Sequence, residues 1–537
     1  MLHRLAVAGS LALAFSACAP VTQARDAAAD TPAPHRFVHI TLPAGAAPTS
    51  GRLLVFASDP ASVRAASRNG QITAVDGNPS APHSVFIAAQ EVTHLEGGGS
   101  VDMDLDQIAF PAPFSTLSGD YLVQAVLDVD HSYNYTGRSG GDLVSAVTAV
   151  KLTQGKPLPS LSLAQTVPHT SDPWALSPRL PEAARAALPQ AKAHSFDASM
   201  TSPVLSAFWG RDIQLRARVL VPPGYDAKAA TRYPTVYVTH GFTGNYDAFA
   251  DSIVTTWDAM ARQQMPAMIW VYLEEAVPSG THEFADSVNN GPWGTALTEE
   301  LIPALEKQYR MDGKPSGRFL TGHSSGGWAT LWLQTRYPKL FGGTWSTSPD
   351  PSDFHDFTGV DLYAPNANMY RLPDGSVAPM AREAGKVVAT AEDLIKIERV
   401  LGPYGGQLAS YESVFSPRGV DGAPMPLFDR DTGQVDPKVA AYWTAHYDIA
   451  ARLAAQWPQL APDLDGKIHV IVGTADTFYL DGPTRRLKAV LDRLHAKSDV
   501  RFREGRTHFD LYQDGDDEDA LLKQMTREMY AVARPGQ

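Results

Sequence analysis

Apolar, β-branched segments alternate with helical segments from residue 204 onward, and this alternation constrains the fold more than any other feature of the chain. The apolar segments are DIQLRARVLVP, YPTVYVTHG, PAMIWVYL, RFLTGHS, GGTWSTS, KIHVIVGTAD and DVRFREG. Helical patterns lie near residues 246–263, 294–310, 326–337, 483–497 and 516–533. Strands of this kind, separated by helices, form a mostly parallel sheet that helices cover on both faces. We therefore predict an α/β domain over residues 204–537.

The rest of the chain follows other patterns. Residues 35–152 hold short segments of period two separated by Gly, Pro, Ser and Asn, such as GRLLVFAS and GDYLVQAVLDV, which predicts an all-β sandwich. The proline-rich residues 153–203 are predicted to be a linker. Residues from about 350 to 445 interrupt the α/β pattern with Pro- and Gly-rich sequence and two helical patches. We interpret this stretch as an insertion that caps the carboxyl edge of the sheet.

The amino terminus, MLHRLAVAGSLALAFSACAP, combines basic residues, an apolar stretch and a small-residue exit, which is typical of a secretory signal over residues 1–18. Cys18 follows that exit, so the segment resembles a bacterial lipobox, with Cys18 as the lipidated residue and residues 19–34 as a tether. The alternative is ordinary cleavage and a periplasmic or secreted protein. Because Cys18 is the only cysteine, no disulfide within the chain is expected.

Charge and motifs exclude several function classes. The formal net charge of −13, without a Lys/Arg-rich run, argues against a nucleic-acid partner. No zinc-binding or phosphate-binding motif occurs, so we predict neither a metal site nor a cofactor. Contact with a membrane is expected only through the possible lipid anchor, since no later apolar run is long enough to span one. The oligomeric state stays open.

A G-x-S-x-G pentapeptide, Gly322 to Gly326, identifies Ser324 as the candidate nucleophile, because the neighbouring Ser325 does not satisfy the pattern. The preceding RFLTG reads as a strand and the following GGWATLWLQTRYP as a helix. A serine on such a sharp strand-to-helix turn has a strained backbone and tolerates only small neighbours.

A serine hydroxyl needs a base, and the base needs a carboxylate that orients it. In α/β hydrolases the order along the chain is Ser, Asp or Glu, then His, each after a strand. Asp476 ends the segment KIHVIVGTAD, and His508 follows DVRFREG, so these two complete the predicted triad. The competing histidines lie in a helix, in the insertion or beside the nucleophile: His495, His446 and His323.

Acyl transfer also needs backbone donors for the tetrahedral oxyanion. Ser325 supplies one N–H group as the residue after the nucleophile. Phe242, in the HGF turn after YPTVYVTHG, is the predicted second donor, with Thr243 as the neighbour that could replace it.

Aromatic residues near the ends of the motifs are candidates for a substrate pocket. They are Trp293, Trp328, Phe478 and Tyr479. Packing in the protein core is the alternative for each of them.

Several segments together resemble the putative-esterase family of α/β hydrolases, which includes feruloyl esterases, enterochelin-esterase-like proteins and mycolyl transferases. They are HGF at 240–242, GHSSGGWATLWLQTRYPKLFGG at 322–343, STSPDPSDF at 346–354, GTADTFYL at 473–480 and GRTHF at 505–509. The resemblance implies an α/β-hydrolase fold without a cofactor, with Ser324, Asp476 and His508 as the triad and Phe242 with Ser325 as the oxyanion donors. A β-sandwich ahead of the hydrolase domain is similar to the arrangement of enterochelin-esterase-like proteins.

These observations predict a serine esterase that cleaves a small-molecule or saccharide-linked ester through an acyl-enzyme. Two alternatives stay open: an acyltransferase that uses the same acyl-enzyme, and a non-catalytic surface binding protein with a vestigial hydrolase domain.

Overall fold

The computed structural model describes residues 34–67, 71–76, 84–133, 137–169, 172–402 and 406–536. The predicted signal segment, Cys18 and all of the predicted tether except its last residue lie outside them. Among the helices of the described residues, none is both long enough and apolar enough to cross a membrane.

Two β-sheets form the amino-terminal part of the described structure. The main strands are β1 (Phe37–Thr41), β2 (Thr49–Ser58), β3 (Val85–Leu95), β4 (Ser100–Asp104), β5 (Gly119–Asp128) and β6 (Thr148–Leu152). Strand β1 pairs with β4, whereas β3, β2, β5 and β6 lie side by side in that order. Short strands at Ala109–Phe110 and Leu143–Val144 join the larger sheet. Side chains of both sheets, including Val38, Leu53 and Met103, share one buried core, which explains the period of two in this sequence.

An eight-stranded sheet lies at the centre of the remaining part of the protein. Its strands are β7 (Ser195–Thr201), β8 (Gln214–Leu220), β9 (Thr235–Thr239), β10 (Ile269–Leu273), β11 (Arg318–His323), β12 (Gly343–Thr347), β13 (Ile468–Gly473) and β14 (Asp499–Arg503). Their spatial order is β7-β8-β10-β9-β11-β12-β13-β14. The pairs β7–β8 and β8–β10 are antiparallel, and all the other pairs are parallel. The predicted α/β-hydrolase fold is confirmed for this part of the chain.

Helices cover both faces of this sheet because alternate strand residues point to opposite sides. Val236 belongs to a buried cluster with residues of three helices on one face, and the adjacent Tyr237 belongs to a cluster with residues of other helices on the opposite face. The α-helices of the whole described structure, in chain order, are α1 (Pro60–Ala66), α2 (Glu182–Arg185), α3 (Leu188–Ala193), α4 (Pro203–Trp209), α5 (Ala250–Ala261), α6 (Trp293–Ala296), α7 (Ile302–Gln308), α8 (Ser325–Arg336), α9 (Ala391–Leu401), α10 (Gln407–Phe415), α11 (Pro437–Tyr447), α12 (Ile449–Leu464), α13 (Asp481–Arg493) and α14 (Ala520–Ala533). A π-helical turn, Leu297–Leu301, joins α6 to α7.

Residues 153–203 are more than the predicted linker, and this expectation needs correction. The short strand Leu161–Ser162 pairs with β1, and Gln165–Thr166 pairs with Leu143–Val144 in the larger amino-terminal sheet. Strand β7 pairs along its whole length with β8 in the eight-stranded sheet. Some prolines, such as Pro157 and Pro173, lie between these pieces, but strand pairing depends on distant partners that a local pattern does not reveal.

The insertion lies between the amino-terminal sheets and the helix that follows Ser324. Its described residues form α9, α10, α11 and a hairpin of strands Pro379–Glu383 and Lys386–Thr390. Phe415 of α10 packs against Trp328 of α8, with ring centroids 4.8 Å apart. On the other side, Arg52 of β2 donates hydrogen bonds to the carbonyl oxygens of Val400 (2.9 Å) and Arg399 (3.0 Å) at the end of α9. The insertion is therefore packed on both sides.

Candidate active site

Ser324 stands on a sharp turn between β11 and α8. Its backbone has φ 60° and ψ −125°, a conformation that costs free energy for any residue with a side chain. A Cβ atom at Gly322 would lie 2.2 Å from Thr239 Oγ1, and one at Gly326 would lie 2.5 Å from the carbonyl oxygen of His240. Both glycines of the pentapeptide are therefore required by the packing of β9 and its following loop against the turn.

Asp476 and His508 meet at the carboxyl end of the sheet, because they follow the adjacent parallel strands β13 and β14. His508 Nδ1 lies 3.0 Å from Asp476 Oδ2, and both side chains are buried. Burial by itself raises the pKa of Asp476, but the hydrogen bond and charge of His508, together with the backbone N–H group of Phe478 and the hydroxyl of Ser348, lower it, and the net shift is downward. The backbone N–H groups of Phe478 and Leu480 also donate to Oδ1 of this carboxylate. The geometry favours an ionised carboxylate that orients one nitrogen of the imidazole.

The hydroxyl of Ser324 forms its hydrogen bond with Asp350, a residue that the sequence reasoning missed. Ser324 Oγ lies 3.5 Å from Asp350 Oδ1, and within the described residues no hydrogen bond joins it to His508. The ring of His323, the preceding residue, is 4.3 Å from the ring of His508, so Ser324 and His508 belong to one site. In unliganded hydrolases the bond from serine to histidine is often long or unformed, and a rotation about χ1 changes the partner of the hydroxyl.

Asp350 is anchored below the nucleophile by several donors. Its Oδ2 accepts hydrogen bonds from Ser325 Oγ at 2.6 Å and from the hydroxyl of Tyr411 in the insertion. Its backbone N–H donates to the carbonyl oxygen of Ser324. Burial raises the pKa of Asp350, and the two hydroxyl donors only partly oppose that shift. One sequence signal could have identified Asp350. This residue comes shortly after the end of β12, the strand next to β11, and parallel strands end at the same edge of a sheet.

His323 does not compete with His508 as the base. Its Nδ1 lies 3.1 Å from Thr347 Oγ1. Burial and the neighbouring His508 lower the pKa of His323 to about 3, so its ring stays neutral near pH 7. The expectation that His323 is held beside the nucleophile without acting on it agrees with this position.

The two predicted oxyanion donors belong to segments that meet at the turn. Ser325 is the first residue of α8, where a backbone N–H group has no acceptor within its own helix. A Cβ atom at Gly241, next to Phe242, would lie 3.5 Å from Ser324 Cβ, so the HGF loop touches the nucleophile residue. His240 holds this loop, with Nδ1 2.9 Å from the carbonyl oxygen of Gly241. The choice between Phe242 and Thr243 as the second donor stays a prediction.

A cavity that is partly open to solvent adjoins Ser324; its volume is about 430 Å³ when the solvent at its open mouth is included. Its walls combine residues of the sheet edge with residues of the insertion: Ser324, Asp350, Pro351, Thr358, Met380, Leu394, Gln407, Leu408, Tyr411, Phe478 and Leu480. Most of these side chains are apolar.

Of the four predicted pocket aromatics, only Phe478 lines this cavity. Its ring also contacts His508 edge to face at 4.9 Å. The other three need correction within the described structure. Trp328 is buried against Trp332 and Phe415, Trp293 stacks on His282 at 3.8 Å, and Tyr479 faces the guanidinium of Arg382. Proximity to a motif in sequence does not set the direction of a side chain, because packing partners do.

The model of the protein family described as Putative esterase matches residues 206–529, more than half of the chain. A curated relative, the Uncharacterized protein YbbA of Bacillus subtilis (strain 168), is 25% identical over 144 residues. That match covers 25% of this chain and 56% of the relative, so the chain spans little more than half of the relative's length.

Solved structures also show similarity. A ferulic acid esterase of Anaeromyces mucronatus, in complex with ferulic acid, is 13% identical with a TM-score of 0.34, covering 68% of this chain and 97% of that chain. An S-formylglutathione hydrolase of Staphylococcus aureus is 12% identical with a TM-score of 0.36, covering 64% and 100%.

Proposed function

We propose that this chain, which belongs to the Putative esterase family, cleaves carboxylic esters with Ser324 as nucleophile, His508 as base and Asp476 as the orienting carboxylate. The observation that carries the proposal is the convergence of three strand ends. The strained turn after β11 presents Ser324, while the ends of β13 and β14 place Asp476 Oδ2 3.0 Å from His508 Nδ1.

The reaction begins when the Ser324 hydroxyl turns from Asp350 towards His508. His508 Nε2 takes the hydroxyl proton while Oγ bonds to the ester carbonyl carbon, and the carbonyl oxygen becomes an oxyanion. Backbone N–H groups of Ser325 and of the HGF loop stabilise that oxyanion, each worth roughly 3–4 kcal/mol in such sites. His508 then gives its proton to the departing alcohol, and the C–O bond breaks to leave an acyl-enzyme. Water, activated by the same imidazole, releases the acid.

Labelling with a fluorophosphonate tests the proposal directly. The folded wild-type protein is expected to become covalently labelled at Ser324 and to lose its turnover of short-chain esters. Ser324→Ala is expected to abolish both labelling and turnover. Ser325→Ala keeps the backbone N–H and is the matched control. Absence of labelling in folded wild-type protein, or turnover that survives Ser324→Ala, would overturn the assignment.

The remaining domain assignments are part of the same proposal. The insertion acts as a cap, because its residues Met380, Leu394, Gln407 and Tyr411 form walls of the cavity. The amino-terminal β-sandwich supports the cap through the hydrogen bonds of Arg52 to the end of α9.

Export and lipid attachment at Cys18 are tested by radiolabelled palmitate incorporation. Wild-type cells are expected to label the protein and Cys18→Ser cells are not.

A further inference from the structure

The wall of the cavity beside Ser324 includes one acid. Among the described residues that line the cavity, Asp350 is the only carboxylate, and no lysine or arginine is among them. The catalytic imidazole of His508 lies behind this wall, in edge-to-face contact with Phe478. A substrate group with a negative charge would therefore meet the carboxylate of Asp350 and no lysine or arginine.

The two oxygens of Asp350 differ in their partners. Oδ2 is occupied by hydroxyl donors from Ser325 and Tyr411. Among the described residues, Oδ1 accepts only the long 3.5 Å hydrogen bond from Ser324 Oγ. When Ser324 turns to His508 for the reaction, Oδ1 loses that donor and faces the cavity. A substrate group that donates a hydrogen bond can then take its place.

The charge around Asp350 favours a cationic donor. Glu275 and Glu283 are buried near it, and burial, together with the negative charge of Asp350, raises the pKa of both. Within the described residues, none of these three acids forms an ion pair with a lysine or arginine; Glu275 has only His240, at 3.7 Å. Both Oε atoms of Glu275 and Oε2 of Glu283 have no hydrogen-bond partner there. A buried acid without a cation is disfavoured in its charged form, and a nearby positive charge reverses that preference.

We propose that Asp350 is a specificity-determining residue that selects esters carrying an ammonium group a few bonds from the scissile carbonyl. The proposal rests on the esterase function proposed above. A charge-assisted hydrogen bond spans roughly 2.7–2.9 Å. Oδ1 lies 3.5 Å from Ser324 Oγ before the hydroxyl turns to His508, so an ammonium group that takes the place of the hydroxyl lies near the reacting carbonyl. The apolar walls contact the carbon chain, and an ester with a carboxylate at that position is rejected.

Matched esters test this selection. On the acyl side, β-alanine ethyl ester carries the ammonium group, ethyl butanoate is its neutral isostere, and monoethyl succinate carries a carboxylate. On the alcohol side, dimethylaminoethyl butanoate is compared with isopentyl butanoate. We expect wild-type kcat/KM to favour the ammonium ester over its isostere by about ten- to a hundredfold in one of the two series. The succinate ester is expected to be the poorest substrate. The series with the preference identifies the side of the ester that enters the cavity.

Asp350→Asn keeps the shape of the side chain and removes its charge. The preference for the ammonium ester is expected to fall at least tenfold, whereas Asp361→Asn, which changes an exposed aspartate outside the cavity, should leave the preference unchanged. Equal kcat/KM for ammonium and neutral esters in the wild type overturns the proposal even if Asp350→Asn does not fold. A preference that survives Asp350→Asn also overturns it. Turnover of ethyl butanoate that depends on Ser324, without any ammonium preference, would refute this inference and leave the esterase function intact.

Discussion

The adjacent serines at positions 324 and 325 should respond differently to alanine, and Ser325→Ala separates two effects that are usually confused. The substitution keeps the backbone N–H that is proposed to bind the oxyanion. It removes Oγ, which donates to Asp350 Oδ2 at 2.6 Å in a fully buried position. We therefore expect catalysis to persist while the free energy of unfolding falls.

The expected loss in the free energy of unfolding depends on Asp350, the hydrogen-bond partner of the Ser325 hydroxyl. A hydrogen bond to a charged group contributes about 1.5–3 kcal/mol, and leaving a buried acceptor under-satisfied adds to the cost of removal. Tyr411 still donates to the same oxygen of Asp350, which places the expected loss near the lower end, about 1.5–2 kcal/mol. Ser199→Ala is the matched control, because the exposed Ser199 bonds only to the side chain of Gln214 on the surface. A surface change of that kind is expected to stay within about 0.5 kcal/mol.

Two measurements check the prediction. Hydrolysis of a short-chain chromogenic ester gives kcat, which should fall less than about tenfold in Ser325→Ala and to background in Ser324→Ala. The urea concentration that halves the activity reports the stability of the catalytic domain, and it should fall in Ser325→Ala but not in Ser199→Ala. A folded Ser325→Ala variant as inactive as Ser324→Ala would refute the division of roles. Unchanged urea resistance would refute the buried hydrogen bond to Asp350.

Three further outcomes follow from the site. Gly322→Ala puts a Cβ atom 2.2 Å from Thr239 Oγ1, and such overpacking costs about 1–3 kcal/mol of stability. Turnover and urea resistance should therefore both fall. Wild-type values of both would contradict the packing at the turn. Asp476→Asn should lower kcat by about a thousandfold or more. Because the folded-state pKa of Asp476 is lowered, its stabilising contribution is present above the unfolded value, about 3.9, and is lost as the pH falls through the folded value. The difference in urea midpoint between wild type and Asp476→Asn, followed by tryptophan fluorescence because the variant is nearly inactive, should therefore stay constant down to about pH 4 and shrink below it. A difference that stays constant below that pH would contradict the shift. Arg382→Met removes a 2.8 Å hydrogen bond to the carbonyl oxygen of Asp476, so kcat should fall about tenfold, and an unchanged kcat would show that the hairpin does not position this acid.

The sequence predicted the parts of the molecule that depend on local patterns. The strands of the eight-stranded sheet lie where apolar β-branched runs predicted them, because such runs suit a sheet that is buried on both faces. Ser324 was singled out by a local pattern of glycines, although the oxygen atoms that a Cβ atom on either glycine would meet include those of Thr239 and His240, far away in the chain. Asp476 and His508 were found because parallel strands end at one edge, so the order of segments along the chain already implies proximity.

Other features depended on partners far away in the chain, and only the tertiary structure decided them. Strand β7 lies in a stretch predicted as a linker, because its identity comes from pairing with β8. Trp328 turned out to be a core residue because the insertion supplies Phe415 to cover it. Asp350 acquired its position from Ser325 on one side and Tyr411 on the other.

Local sequence therefore determined the strands of the sheet, the pentapeptide at the turn and the three residues proposed as the triad, since the period of apolar residues and the order of strands are properties of short segments. The tertiary structure decided the shape and the charge of the cavity, because these come from the packing of the insertion over the sheet edge. Burial, and the donors that reach a buried carboxylate, are properties of the whole fold, and a single segment does not carry them.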